Sequence, residues 1–222
     1  THDPFCRRLA IECQATVVAL DYRLGPEHPF PAAVDDCLAG TAWLLDNLPG
    51  AALAGKPGFI AGDSAGGNLA AVVANRLEAR DRISGQVLIY PAVRHCTPPN
   101  RSSIENGKGH VLTYGMMVWF WKNYLGEKRE TAEGDIDPGA TPLYHPLPDR
   151  VPPALVITAG LDPLRDEGAQ YAQKLSEHGV DCVHELFIRE EHGFVCSEGL
   201  TEGHNRAMEL IAAWSRSQPG TG

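Results

Sequence analysis

Several features that define other classes of protein are missing from this sequence. It has no Lys/Arg-rich run and carries a formal net charge of −9, so nucleic acid is not favoured as a partner. No apolar stretch approaches the roughly 20 residues that a membrane-spanning helix needs, so we expect no membrane span. Motifs of the H-E-x-x-H, P-loop and G-x-G-x-x-G types are also absent, and we therefore expect neither a metal nor another cofactor.

Cysteine pairs with metal-binding or redox spacing are missing too. The six cysteines form no C-x-x-C pair, and in a chain of this length they are typical of free thiols in a reducing compartment. We therefore expect a cytoplasmic protein. The chain begins Thr1-His2-Asp3-Pro4, which has neither an initiator Met nor the pattern of a signal peptide. We interpret the chain as processed or as part of something longer.

The 222 residues are enough for one domain with a substantial core, and 43% of them are hydrophobic. Short apolar runs alternate with amphipathic stretches, which predicts an α/β fold with a mostly parallel sheet and helices on both faces. The predicted strands are Thr16–Asp21, Gly58–Ala61, Gln86–Tyr90, Ala154–Ala159 and Cys182–Ile188. The predicted helices are Pro4–Cys13, Pro31–Asn47, Gly66–Ala79, Tyr114–Tyr124, Asp166–His178 and Glu202–Arg216.

One segment breaks this alternation. Between Pro91 and Pro153 no good strand is found, and an aromatic helix with Trp119 and Phe120 lies among polar and Pro/Gly-rich stretches. Long insertions between strands of a parallel sheet often form lids or binding elements. We therefore predict a cap over about residues 94–150 of a single domain, 1–222. The alternative is a surface excursion whose aromatic side chains only pack on the domain.

A nucleophile is indicated by the segment Gly62-Asp63-Ser64-Ala65-Gly66, which follows a predicted strand and precedes a predicted helix. In that context G-x-S-x-G places a serine on a tight strand-to-helix turn, and small residues at both glycine positions let helix and strand approach closely. We predict that Ser64 is the nucleophile. The backbone N–H of Ala65 is then expected to face the oxyanion, where the helix dipole favours negative charge.

A serine nucleophile needs a base, and in this type of fold the chain order is serine, acid, histidine. His192 lies in the loop after the last predicted strand and is followed by Gly193, so we predict that it is the base. The other late histidines fall at a helix end, inside a strand and in the terminal helix: His178, His184 and His204.

The acid is expected after the preceding strand. Asp162 comes immediately past Ala154–Ala159, and Pro163 prevents the strand from continuing. A carboxylate there can orient the His192 imidazole and stabilise its protonated form. Asp166 and Glu167 are the competitors, but at the start of the next helix they fit better as partners of the helix dipole.

Taken together, these residues resemble the hormone-sensitive-lipase-like family of α/β-hydrolases, in its bacterial esterase branch with Gly-Asp-Ser-Ala-Gly. The resemblance covers the chain nearly end to end, and the matching segments are Asp21–Ala33, Gly62–Gly67, Asp162–Asp166 and His192–Phe194. It implies the α/β-hydrolase fold and hydrolysis of small-molecule esters with short acyl groups, without a cofactor. In the first segment we interpret Arg23 and Glu27 as an ion pair that supports the scaffold.

The sequence also departs from the family's pattern. Family members carry a His-Gly-Gly-Gly segment that supplies further oxyanion donors, and no Gly-Gly precedes Gly66 here. The resemblance places that segment, the first strands and part of the cap before Thr1. We therefore expect N-terminal strands to be missing. One of the absent strands would lie between Thr16–Asp21 and Gly58–Ala61 in the sheet. On that interpretation the chain alone is a poor esterase.

The predicted chemistry is an acyl-enzyme mechanism in which Ser64 attacks and His192 transfers protons. The candidate substrate-binding residues are Asp63, Trp119, Phe120 and Phe194. For each aromatic residue, core packing is an equal alternative. A homodimer is a further expectation. The rival functions are a ligand-binding module, as in the gibberellin receptors that resemble this family but lack the histidine, and a peptidase on the same scaffold.

Overall fold

The computed structural model describes residues 2–47, 58–79, 82–126, 136–137, 139–197 and 201–218. Its centre is a parallel sheet of four strands in the order β1-β2-β3-β4. The strands are β1 (Gly58–Asp63), β2 (Ile83–Ile89), β3 (Ala154–Leu161) and β4 (Cys182–Glu191). All four lie where the apolar runs predicted strands. Because they are parallel, their carboxyl ends meet at one edge of the sheet, which is where ligand sites form in open α/β folds.

Seven helices are described, and six of them match predicted helices within a few residues. They are α1 (Asp3–Cys13), α2 (Ala32–Asn47), α3 (Ala65–Arg76), α4 (Arg101–Glu105), α5 (Tyr114–Leu125), α6 (Arg165–Glu177) and α7 (Glu202–Ser217). The unpredicted one, α4, is a single short turn with its N-cap at Asn100, whose side chain accepts from the N–H of Ser103. A segment so short carries too little hydrophobic periodicity to be recognised from sequence.

Both faces of the sheet are covered, which explains the continuous apolar runs of the central strands. Along β2, Val87 and Ile89 pack in a cluster with Met208 of α7. Between them, Leu88 points to the opposite face and packs in a cluster with Tyr171 of α6. The period-two alternation of side chains therefore divides one apolar strand between two cores.

The prediction of a first strand at Thr16–Asp21 is wrong. These residues form no strand; the stretch is irregular, and Val18 and Leu20 are exposed. A strand requires a hydrogen-bonded neighbour, and within the described part of the chain the sheet begins at β1. The apolar run had the composition of a strand, but its partner is not among the described residues.

The prediction of an ion pair between Arg23 and Glu27 is also wrong. The Arg23 guanidinium instead donates to both carboxylate oxygens of Asp36 on α2, at 2.8 and 2.7 Å, and its backbone N–H donates to the same carboxylate at 2.9 Å. Hydrogen bonding to Arg23 lowers the pKa of Asp36 to about 2. A two-pronged bond fits the planar guanidinium better than a single contact, so Arg23 fixes the segment before α2 on that helix.

Residues 94–150 contain α4 and α5 and, among their described residues, no strand. Helix α5 starts at an N-cap, Thr113, whose side chain accepts from the N–H of Met116. One side of α5, with Met117, Trp121 and Leu125, is buried in a core cluster with α2 and α3. The opposite side leaves Trp119 and Phe120 exposed. Helix α5 therefore packs on the sheet domain through one of its faces.

Candidate active site

Ser64 lies on a sharp turn between β1 and α3. Its φ of 54° lies in the region that side chains rarely adopt, which is the strain expected of a nucleophile on this turn. The turn needs glycine on both sides: a Cβ on Gly62 would overlap the Gly66 carbonyl, and one on Gly67 would lie 2.9 Å from the Pro91 side chain. The Ser64 N–H donates to the carbonyl of Ile89 at 2.9 Å, which fixes the turn against β2.

Ala65 is the first residue of α3. The N–H of a first helical residue has no acceptor within its helix, and it points outward at the positive end of the helix dipole. The Ser64 side chain lies directly before this N–H in the chain. The arrangement can hold an oxyanion that develops beside the serine.

His192 follows the last residue of β4 and reaches back over the sheet edge. Its Nε2 lies 3.0 Å from the Ser64 Oγ, and its Nδ1 lies 2.7 Å from Asp162 Oδ2. An ionised carboxylate only accepts hydrogen bonds, so Nδ1–H donates to Asp162 and Nε2 is left to accept from the Ser64 hydroxyl. Gly193, with φ of 88°, lets the chain turn immediately after the imidazole. These contacts arrange the imidazole to take a proton from Ser64.

Asp162 is fully buried at the carboxyl end of β3. One of its carboxylate oxygens faces His192, and the other accepts from the N–H of Leu164 at 2.8 Å. Each oxygen therefore has a hydrogen-bond partner, which fixes the orientation of the carboxylate.

The competing acids have other partners. Asp166 accepts from the N–H of Ser102 and bonds to Arg165, each at 2.9 Å, so it joins α6 to the start of α4. Glu167 is buried and accepts from the backbone N–H groups of Val93 and Arg94 at 2.9 and 3.2 Å. Burial raises the pKa of Glu167 well above its ordinary value. Neither carboxyl is hydrogen-bonded to His192.

The other late histidines are also bonded elsewhere. His178 contacts the carbonyl of Pro148 at 2.9 Å, and His184 contacts the hydroxyl of Thr158 at 2.9 Å. His204 is buried and donates to a backbone carbonyl in the loop before α7. His192 is thus the histidine that the structure brings to Ser64.

Asp63 points away from His192, toward the start of α1. Its Oδ1 lies 3.1 Å from His2 Nε2. Within the described part of the chain, His2, Asp63 and Cys196 are the one group of such side chains with ligand atoms mutually within 4.8 Å. Burial, and then the charge of Asp63, raise the pKa of the Cys196 thiol to about 12. A thiol that keeps its proton is a hydrogen-bond donor, so Cys196 can donate to the neighbouring Asp63 carboxylate.

The predicted aromatic residues are separated. Trp119 and Phe120 are 60% and 50% exposed on α5, where their rings meet edge to face with centroids 5.2 Å apart. Phe194 is buried, with its ring 5.8 Å from that of Tyr90 and 5.0 Å from that of Phe187. Phe194 therefore packs in the core beneath the His192 loop, whereas the α5 pair offers an open apolar surface.

Two further residues contact the site but were not found from the sequence. The ring of Tyr90 lies 4.7 Å from that of His192, and burial raises the pKa of its hydroxyl. Asn106 donates to the carbonyls of Gly160 and Asp162 at 3.2 and 3.3 Å. Tyr90 was predicted as the last residue of a strand, whereas the structure ends β2 at Ile89. Asn106 lies in an irregular segment whose place no local pattern predicts.

With this geometry established, comparison with known proteins defines the class of the chain. The model of a family with the alpha/beta hydrolase fold matches residues 1–196. The chain therefore belongs to this family of α/β-hydrolases, and the resemblance drawn from its motifs is confirmed. Within the described residues, no helix has the length and apolar composition needed to cross a membrane.

Individual relatives are esterases. The carboxylic ester hydrolase LipN of Mycobacterium tuberculosis is 37% identical over 225 residues, covering 96% of this chain and 58% of the relative. The ethyl acetate hydrolase of Pseudomonas putida is 35% identical over 216 residues, covering 95% and 66%. A solved structure of a hyperthermophilic esterase from Pyrobaculum calidifontis matches with a TM-score of 0.89 and 42% identity, covering 97% and 70%. The chain thus spans about 58–66% of the length of these two curated relatives.

Proposed function

We propose that the protein hydrolyses carboxylic esters with short acyl groups through an acyl-enzyme intermediate. The observation that carries this proposal is the continuous hydrogen-bond chain from Ser64 through His192 to Asp162. These three side chains follow three different strands, β1, β3 and β4, at the same carboxyl edge of the sheet. Their contacts match the order of nucleophile, base and acid in serine hydrolysis. Ser64, His192 and Asp162 are thus the proposed catalytic residues.

In the first half of the reaction, Ser64 Oγ attacks the ester carbonyl carbon while His192 Nε2 takes the hydroxyl proton. A C–O bond forms, and the carbonyl oxygen becomes an oxyanion toward which the Ala65 N–H points. Asp162 stabilises the imidazolium that results. The intermediate then collapses: the bond to the leaving alkoxy group breaks, and His192 returns its proton to that oxygen.

In the second half, water enters in place of the alcohol. His192 takes a proton from the water, the hydroxyl attacks the acyl carbon, and Ser64 leaves with the proton that His192 returns. The products are a carboxylic acid and an alcohol, and no electrons are transferred. The proton transfers in both halves pass through His192.

The preference for small esters is supported by the names of relatives, among them an ethyl acetate hydrolase. The exposed rings of Trp119 and Phe120 are the proposed apolar contacts for substrate, on a cap of about residues 94–150 in a single domain. The other two candidate substrate-binding residues also lie close to the site: Phe194 packs against Tyr90, and Asp63 directly precedes Ser64 in the chain. Alanine substitution tests these contacts: Trp119→Ala and Phe120→Ala should each change KM for the ester.

The test of this proposal compares p-nitrophenyl butyrate with the matching anilide in the intact protein, with Ser64 titrated by a fluorophosphonate. An esterase cleaves the ester far faster than the amide, and one fluorophosphonate per chain abolishes the activity. Comparable rates on the two substrates would indicate a peptidase. Absence of labelling at Ser64 would indicate a ligand-binding module instead.

A second candidate concerns the 222-residue chain by itself. Ala65 is the oxyanion donor that these residues provide, and no His-Gly-Gly-Gly segment occurs in the sequence. Loss of one such donor typically slows turnover by about 10²–10³. On this alternative the chain binds the ester, but Ser64 is acylated slowly. Its hydrolysis rate per titrated serine then lies well below that of a form that contains the His-Gly-Gly-Gly segment.

We further propose that the protein acts in the cytoplasm and associates as a homodimer. All six cysteines are free, which suits a reducing compartment. Within the described residues β4 lies at the edge of the sheet, and its side chains Val183 and Ile188 are exposed. Light scattering of the wild type and of Ile188→Lys would test the dimer, which the charged variant should weaken.

A further inference from the structure

One irregular segment contacts both of the strand ends that carry the proposed acid and base. We call residues 106–112, between α4 and α5, the clasp segment. At its start, Asn106 is buried and donates to the carbonyls of Gly160 and Asp162 at 3.2 and 3.3 Å. These carbonyls lie at the carboxyl end of β3. The clasp segment is therefore bonded directly to the backbone of the proposed catalytic acid.

The other contact of the clasp segment is with Glu191, the last residue of β4 and the neighbour of His192. One Glu191 oxygen lies 3.1 Å from the His110 Nδ1, and the other accepts from the Val111 N–H, also at 3.1 Å. Hydrogen bonding to His110 first, and then to the Val111 backbone, lowers the pKa of Glu191. Both oxygens of an ionised carboxylate are thus bonded to a single segment, and charge-assisted bonds of this kind are stronger than neutral ones.

The clasp segment is itself anchored at both ends. Asn106 is buried beside β3, and Leu112 is buried in the core cluster that contains Met117 of α5. A Cβ on Gly107 would overlap the Ser103 carbonyl, so the backbone there packs tightly against α4. A side chain bonded to this segment is therefore bonded to the core and not to a free loop.

The residues after His192 are held by the core, since Phe194 and Val195 are buried. Glu191 holds the other side of His192, where the chain leaves β4. His192 is followed by Gly193, whose positive φ few other residues adopt, and residues 192–196 form turns. The imidazole must nevertheless keep its Nε2 within 3.0 Å of Ser64 Oγ. Misplacement of a reacting group by about 1 Å can cost about 10² in rate, so a fixed point beside His192 matters for turnover.

We propose that Glu191 is a positioning residue for His192, which acts by fixing the end of β4 to the clasp segment. The inference rests on the proposed ester hydrolysis. The Glu191 carboxylate is bonded to His110 and Val111, so its influence reaches the imidazole through the backbone. Since its carboxylate is partly exposed to water, the effect is smaller than that of losing His192 itself.

The experiment compares three single variants in the intact protein, with kcat expressed per fluorophosphonate-titrated serine. Glu191→Ala removes both bonds and should lower kcat about tenfold, with KM unchanged within about twofold. Glu191→Gln retains an oxygen that accepts from Val111 and should restore most of the rate. Glu185→Ala is the matched control. Glu185 lies on β4 like Glu191, but its ion pair is with Arg206 of α7, so its loss should leave kcat unchanged.

Thermal unfolding separates positioning from general stability. Equal kcat in Glu191→Ala and wild type would overturn the inference, as would parallel losses of kcat and melting temperature in both alanine variants. If Glu191→Ala does not fold, His110→Ala removes one of the two bonds and should lower kcat in the same direction. Should the wild type not hydrolyse esters, the proposed function fails, but slower phosphonylation of Ser64 in Glu191→Ala would still support the positioning role.

Discussion

Asp162 and His192 lie 30 residues apart in the chain, yet their side chains are joined by a 2.7 Å hydrogen bond between Oδ2 and Nδ1. The carboxylate is fully buried, and its second oxygen is occupied by the N–H of Leu164. A carboxylate held in this way sets which imidazole nitrogen carries the proton. The other nitrogen, Nε2, is then free to accept a hydrogen bond from the Ser64 hydroxyl.

This relationship predicts unequal effects for two neighbouring aspartates. Asp162→Asn keeps the shape but allows the wrong imidazole tautomer, and a loss of turnover of about 10⁴ is expected from a comparable triad. Asp166→Asn weakens contacts between α4 and α6 and should cost at most about 1 kcal/mol of stability, with little change in turnover. Steady-state kinetics of both variants on p-nitrophenyl butyrate provide the measurement. The reverse ranking would move the acid to Asp166.

Replacement of the proposed nucleophile, Ser64, should separate activity from folding. In the intact protein, Ser64→Ala should abolish hydrolysis and fluorophosphonate labelling, because only a small residual rate survives the loss of a triad member. The turn itself is set by its glycines, so the far-ultraviolet circular dichroism and the urea midpoint should stay close to those of the wild type. Turnover above about a tenth of the wild-type value would contradict the assignment.

Two glycines offer a matched test of the turn. Gly62→Ala places a Cβ onto the Gly66 carbonyl and should destabilise the protein by about 1–3 kcal/mol while displacing Ser64. Gly115, in the first turn of α5, has nothing within 4 Å of its Cβ position. Gly115→Ala should therefore change stability by less than about 1 kcal/mol. The measurement is the free energy of unfolding of both variants in urea. If Gly62→Ala lost as little stability as Gly115→Ala, the turn would tolerate a side chain.

The pair of Arg23 and Asp36 predicts a dependence of stability on pH. The pKa of Asp36 is lowered to about 2 in the folded protein, whereas an unperturbed aspartate titrates near about 3.9. A lowered folded-state pKa contributes stability above the unfolded value, and this contribution is lost as the pH falls toward 2.

Asp36→Asn should accordingly destabilise the protein at pH 7, and the difference from the wild type should shrink between about pH 4 and pH 2. The free energy of unfolding by urea, measured across this range, is the test. Asp35→Asn is the control, since Asp35 makes no hydrogen bond to Arg23 among the described contacts. A difference that stays constant with pH would show that the pair contributes nothing through its charge.

Much of the candidate site follows from short-range patterns in the chain. Ser64 was predicted because glycines and a serine at fixed spacing between a strand and a helix leave few other conformations for the turn. Asp162 and His192 were predicted from their places after strands, since the carboxyl ends of parallel strands meet at one edge. In each case, neighbouring residues specify the local backbone, and the fold class then specifies which side of the sheet the side chain reaches.

Contacts between distant segments were decided by the tertiary structure alone. Thr16–Asp21 has the composition of a strand, but a strand exists only where another strand supplies its hydrogen bonds. Arg23 bonds to Asp36 and not to Glu27, because the bend before α2 brings that carboxylate into bidentate reach. The bonds of Glu191 to the clasp segment span about 80 residues. No local pattern encodes such a pair, since its two halves become neighbours only when the sheet and the insertion have packed.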